Sequence, residues 1–290
     1  MDKKKCLPRP LSIEEQLKNL KANNLIITDE EYAKNVLSRI SYFRIIKAYG
    51  LGLKPKNGTY NEYITFEKIV KIYEFNSRLR AIIFPLIEDV EINLRCKLGN
   101  YFSLKYGNLG YEDSTNFQDE TLHFQFFKEY NIEEERGKSL FVSNFKNNYA
   151  EEKVPFYAAV ELFTFGMLSK FYSNMKKEDK KAIAKEFGVG YTYLESWIKS
   201  ITNVRNICAH YGRLYNIKLT IKPDLYKEYP VGCNYRIFGT LLILKHLVAN
   251  KSLWTAFQND IIALINTYDE YIKLEAIGLT ENWEELLFEK

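Results

Sequence analysis

The chain has 290 residues and a formal net charge of +4, from 41 Lys and Arg against 37 Asp and Glu. Hydrophobic residues make up 46% and charged residues 27%, the proportions of an ordinary globular protein; they exclude a disordered tail, a collagen and a strongly cationic coat for nucleic acid. Only 14 Gly and 7 Pro leave little material for a turn-rich all-β fold, while 22 Tyr, 19 Phe and 3 Trp offer rings for a core and hydroxyls for a wet groove.

Helical signals dominate from the start. Ser12 with Glu15 forms a capping box ahead of Leu17 and Leu20, and Thr28 with Glu31 has the same pattern ahead of Tyr32, Val36, Leu37 and Ile40. Residues 51–61, with Gly52, Pro55, Asn57 and Gly58, read as a loop. A long helical period runs from Thr65 to Tyr106. Its first stripe is Ile69, Ile72, Tyr73, Asn76, Leu79 and Ile83, its second Leu86, Val90, Leu94 and Leu98, and Pro85 between them is expected to kink or split the helix. After a polar loop over 107–120, helices are expected over 122–136, 140–149, 156–175 (interrupted near Gly166), 178–187, 193–209, 235–249 and 253–276. Residues 216–221 alternate over too short a run to argue a sheet, and 222–232 is irregular. The expected architecture is an all-α bundle built on a long helical hairpin. Residues 1–56 form an N-terminal helical segment packed on the core, and 57–290 carry the main helical domain with further C-terminal helices, all in one compact unit.

No apolar run reaches the roughly 18 residues of a membrane helix, and no apolar core follows the opening MDKKKCLPRP, so the expectation is a cytoplasmic protein with no membrane partner and no signal peptide. Cys6, Cys96, Cys208 and Cys233 form no CxxC pair and read as free thiols. His123, His210 and His246 lie at no ligand spacing, so neither a metal nor a cofactor is expected. Phosphate-binding glycine loops and the GxSxG nucleophile elbow are missing. Basic charge gathers in two places: residues 1–56 hold twelve basic and six acidic groups, and 204–236 hold six and two. Either an anionic partner such as RNA or a merely solvated tip accounts for this.

The most informative stretch is Ile201–Asn216, ITNVRNICAHYGRLYN. Leu194, Trp197, Ile198, Ile201, Val204 and Cys208 form an apolar stripe, and Arg205 falls close to its middle, where a guanidinium must snorkel, pair or meet a cleft. Asn206 and His210, four apart, share another face, and Gly212 offers a helix stop just beyond. A histidine can move a proton at a ribose 2′-hydroxyl or a leaving oxygen, an arginine can fork onto a phosphate, and an amide can orient either. The spacing alone is weak: with 10 Arg and 3 His, R-x4-H arises by chance about 0.1 times. The plainer alternative is a histidine capping the helix end and an arginine paired with Glu195 or another acid.

Several longer stretches add to this. They are PLSIEEQLKNLKANNLIITDEEYAKNVLSRISYFR (Pro10–Arg44), FEKIVKIYEFNSRLR (Phe66–Arg80), LIEDVEINLRCKL (Leu86–Leu98), PFYAAVELFTFGMLSKFYSNM (Pro155–Met175) and RNICAHYGRLYN (Arg205–Asn216). Through them the chain resembles the Abi-like abortive infection family, the AbiD/AbiF group of bacterial phage-resistance proteins. That family in turn resembles the HEPN superfamily of helical ribonucleases, whose motif is R-x4-6-H with a polar residue after the arginine; Arg205, Asn206 and His210 match it. The chain departs from the family's usual pattern at Tyr211, where a second His is common, at Tyr215, where Trp is common, and at Asn76-Ser77, where Asp-Arg is common.

The resemblance implies an anti-phage, metal-independent endoribonuclease with Arg205, Asn206 and His210 as catalytic residues. It also implies a homodimer that brings two motifs to one groove, and a structured non-coding RNA that restrains the toxin. Tyr211, Arg213, Tyr215 and Arg95 are further candidates for RNA contact, with surface solvation and core packing as the alternative for Arg213 and Tyr215. Glu91 and Arg95 read as a surface helix pair, or with Glu88 as a wall opposite His210. Lys176, Lys177, Lys180 and Lys181 read as a solvated face, His123 as a surface residue, His246 as part of an apolar helix, and Cys208 as packing rather than nucleophile. The rival function is an RNA- or partner-binding module that does not cut; a third is a structural helical dimer.

Overall fold

The computed structural model describes residues 7–50, 52–53, 58–61, 63–136 and 139–288. Cys6, the opening lysines and much of the expected 51–61 loop lie outside these residues. Among the described residues the chain is all helix and loop, with no strand. None of the helices is long and apolar enough to cross a membrane. The chain divides into two compact units, Met1–Leu79 with Ala263–Lys273, and Arg80–Ile262 with Leu274–Lys290. The first takes in the expected N-terminal segment and continues to Leu79.

The first unit opens with α1 (Ile13–Ala22) and α2 (Glu30–Arg39), which pack on each other. Ser12 Oγ accepts from the Glu15 amide at 3.2 Å while the Glu15 carboxylate accepts from the Ser12 amide at 2.9 Å, so the predicted capping box forms. At α2 the cap is Asp29, not Thr28. Asp29 Oδ1 accepts from the Tyr32 amide at 2.9 Å, and Thr28 donates instead to the Glu67 carboxylate at 2.8 Å. A π-turn over Phe43–Lys47 follows, for which the apolar pattern gave no sign. α3 (Phe66–Tyr106) is one unbroken helix of 41 residues that contains Pro85. Pro85 and Ala81, whose carbonyl loses its amide partner, both lie on the exposed side, while Ile83, Leu86 and Ile87 are buried on the inner face. In the first unit, Asn76 is wholly buried and donates to the Tyr49 hydroxyl at 2.9 Å.

The second unit continues with α4 (Glu120–Arg136), α5 (Leu140–Asn148), the single turn α6 (Phe156–Ala159), α7 (Phe165–Asn174), α8 (Lys177–Glu186), α9 (Tyr191–Ala209), α10 (Ile237–Leu247), α11 (Lys251–Tyr268, shared with the first unit) and α12 (Trp283–Phe288). The expected break near Gly166 falls earlier, at Phe163–Thr164, because Thr164 caps α7 through the Met167 amide. Phe102, Phe156 and Phe171 form an aromatic knot with centroids 4.9–5.0 Å apart. His123 is not a surface residue: it is buried, bonded to the Tyr111 carbonyl at 2.8 Å and packed on Phe117 and Phe127. Lys180 is no part of a solvated face either; it is buried and donates to Glu195 at 3.0 Å and to the Ser173 carbonyl at 3.1 Å.

Asp179, fully buried at the start of α8, accepts from Tyr101 at 2.7 Å, from Tyr106 at 2.8 Å and from Lys105. Asp179→Ala leaves two hydroxyls and an ammonium without their acceptor. The expected loss is about 2–4 kcal/mol, read by chemical denaturation. His246 gives a second prediction. Its ring stacks on Trp197 at 5.4 Å and shares a 2.8 Å hydrogen bond with Tyr229. Burial, then the neighbouring Lys245, holds its pKa below the usual value, with Glu228 opposing. The folded chain therefore favours the neutral ring, and its contribution to stability is complete above about pH 6.5 and falls as the unfolded chain takes up the proton below that. Melting temperature is expected to fall from about pH 7 to about pH 5, with a flatter profile in His246→Gln.

Candidate active site

α9 carries the motif on its last two turns. Its stripe of Leu194, Trp197, Ile198, Ile201, Val204 and Cys208 is buried as predicted, and the helix packs on α7, α8 and α10. Burial pushes the Cys208 thiol up to about 12 against the pull of the Arg80 charge, so it stays protonated and packs.

The helix stops in a way the glycine does not explain by itself. His210 caps it and donates its amide to the Asn206 carbonyl at 3.0 Å. The Tyr211 amide donates to Cys208 at 3.1 Å and the Gly212 amide to Ile207 at 2.7 Å, the paired bonds of a Schellman turn. The left-handed residue of that turn is Tyr211, at φ +56°, not Gly212. A side chain in that backbone region costs about 1 kcal/mol. Gly212 is needed for a different reason: a Cβ there would sit 2.8 Å from Ile207 Cγ2 and 2.9 Å from its carbonyl oxygen. The Gly212 carbonyl accepts from Arg80 Nη1 at 2.9 Å, and Arg80 is itself buried. Sequence reasoning missed Arg80, although it lies on a buried stripe just as Arg205 does.

Arg205 is one-third exposed, with Nε 3.6 Å from Glu91 Oε2. That is an ion pair without a hydrogen bond, and Nε is buried with no hydrogen-bond partner. The other oxygen of Glu91 accepts from Arg95 at 3.2 Å. Arg95 also donates to the Val160 carbonyl and lies 3.8 Å from Glu161. One carboxylate thus stands between two guanidiniums, and with Glu88 and Ile92 they line a cavity of about 210 Å³. The expected surface pair is instead largely buried, with Arg95 at 12% and Glu91 at 16% exposure. Arg95 is thus tied to its surroundings within the chain. Glu195 does not pair with Arg205; it holds Lys180 and Lys199.

Asn206 is exposed and lines a second cavity of about 410 Å³, alongside Lys199, Thr202 and Asn203 from the same face of α9. His210 is exposed at the helix end, and Tyr211 is 68% exposed. Arg213 is half-buried. Tyr215 is 8% exposed and packs in the core. Within one chain, then, Arg205 and Asn206 face two adjacent cavities, and the three motif residues do not surround a single one. Among the described residues no group of three His, Cys, Asp or Glu side chains forms a metal site.

A family model described as Abi-like protein matches residues 35–216, a stretch that includes Arg80, Glu91, Arg95, all of α9 and the turn that ends it. No curated protein and no solved structure matches the chain. The match covers well over half of the 290 residues, and the chain belongs to the Abi-like protein family.

Proposed function

We propose that the protein is a metal-independent endoribonuclease of HEPN type acting in abortive infection, with Arg205, Asn206 and His210 as its catalytic set. The observation that carries this reading is the exposed end of α9. It presents an imidazole and an amide to solvent beside a guanidinium whose ion-pair partner, Glu91, leaves its other nitrogens uncommitted among the described residues. Family membership supports the phage-defence context.

In the proposed reaction a ribose 2′-hydroxyl loses its proton to a base, and its oxygen attacks the adjacent phosphorus. The P–O5′ bond breaks, leaving a 2′,3′-cyclic phosphate, and the departing 5′-oxygen takes up a proton. His210 serves one of the two proton transfers. Arg205 stabilises the charge that grows on the non-bridging oxygens, and Asn206 orients phosphate or imidazole. The second proton-transfer group comes from His210 of another copy, so the active species is a two-fold dimer with two α9 ends at one groove. A structured non-coding RNA restrains the toxin by occupying that groove.

Two outcomes test this. Incubated with total RNA in EDTA, the wild-type chain is expected to produce new 2′,3′-cyclic phosphate ends, at a rate per chain that falls when the dimer is diluted apart. Arg205→Ala and His210→Ala should each lower that rate by about 10²–10⁴ while remaining folded and dimeric. Salt-sensitive RNA retention with no new ends would instead identify a binding module. Separately, Tyr211→Gly relieves the left-handed side chain and removes an exposed ring. RNA retention is expected to weaken, as measured by filter binding.

A further inference from the structure

The imidazole of His210 stands exposed at the end of α9, and among the described residues nothing hydrogen-bonds to its ring. A histidine that moves protons is ordinarily oriented by a partner on its ring. Here the backbone sets where the ring stands, and helix ends fray unless something ties them. The turn that carries His210 is also strained, with Tyr211 at φ +56°. Strain of this kind persists only where the surroundings over-determine the backbone.

The tie lies at Gly212, two residues beyond the histidine. Its amide donates to the Ile207 carbonyl at 2.7 Å and its carbonyl accepts from Arg80 Nη1 at 2.9 Å, so both backbone polar groups of that residue are engaged. Arg80 makes a firm donor. It sits within the 41 residues of α3, is 7% exposed, and has the wholly buried Leu79 and Ile83 as neighbours on the helix. A planar guanidinium gives up less freedom per hydrogen bond than an ammonium does. The bond reaches across 132 residues of sequence and fastens the end of the motif helix to the body of another helix. We infer that Arg80 is a positioning residue: by holding the Gly212 carbonyl it fixes the turn that sets the His210 imidazole at the reacting oxygen. This role deepens the ribonuclease reading and rests on it for the proton transfer. Arg80 grips no phosphate in this scheme; it is buried, and Arg205 meets the developing charge.

Two variants test it. Arg80→Met keeps the bulk of the stem and removes the donor, while Arg80→Lys keeps a charge and a donor at shorter reach. Rates are taken per folded dimer, with folding followed by circular dichroism and assembly by light scattering. For Arg80→Met, kcat is expected to fall about 10²-fold, the cost of misplacing a reacting group by about 1 Å, with KM and filter-retained RNA unchanged. Arg80→Lys should fall between this variant and wild type, and it carries both measurements if Arg80→Met does not fold. Hydrogen exchange followed by mass spectrometry gives a readout that needs no RNA. Peptides over residues 206–216 should exchange about tenfold faster in Arg80→Met, while those over residues 194–201 keep the wild-type rate. Wild-type kcat in both variants, a rise in KM alone, unchanged exchange at the turn, or exchange that quickens equally along all of α9 overturns the positioning role. Cleavage indifferent to Arg80 leaves the ribonuclease reading standing. A turn that quickens while wild type cleaves no RNA keeps Arg80 as the holder of the turn and removes that reading, and neither effect removes both.

Discussion

A guanidinium beside a buried helical stripe needs a counter-charge, and Arg205 has Glu91. That need organises much of the second unit. Glu91 is held in turn by Arg95, and Arg95 by the Val160 carbonyl, so a charge on α9 is traced through α3 to the turn that follows α6. Arg80 makes a second tie, from α3 to the Gly212 carbonyl just past the motif. Both ties join polar groups that are mostly hidden from water, where loss of one partner costs far more than it would at the surface. The end of α9 is therefore held at two levels, by charge at Arg205 and by backbone at Gly212.

The same arrangement shapes the electrostatics of the proposed site. With Glu91 between them, the two arginines are partly neutralised in the resting chain, and an incoming phosphate meets a balanced cluster rather than bare positive charge. Phosphate then shares Arg205 with Glu91 and does not simply fill a vacancy. A site of this kind favours a phosphate that is geometrically well placed, because a loosely held anion gains little over the carboxylate already present.

Much of this was legible in the sequence, and the exceptions have physical causes. The capping box at Ser12, the buried stripe of α9 and the length of α3 follow from local spacing, and all three form. Pro85 does not split α3; a rule about proline alone ignores which side of the helix faces water. Asp29 replaced Thr28 because two good caps adjoined, and a distant carboxylate, Glu67, claimed the threonine. His123, Lys180 and Tyr215 are polar or amphipathic side chains whose burial depends on partners remote in sequence, Tyr111, Glu195 and the surrounding core. Of the site itself, Arg205 was visible as a charge on an apolar stripe. Its partner was not named, since spacing tied Glu91 to Arg95 and otherwise set it, with Glu88, only as a wall opposite His210.

The turn after His210 has a consequence for how this protein can vary. Position 212 accepts no Cβ, and position 211 holds a backbone that β-branched side chains strongly resist and that glycine, asparagine, aspartate and histidine enter most easily. Replacements next to the motif are thus filtered first by backbone geometry and only afterwards by any effect on RNA. An invariant glycine and a narrow choice of neighbours there would record the shape of a turn, and a comparison of related chains that took them for catalytic residues would mistake architecture for chemistry.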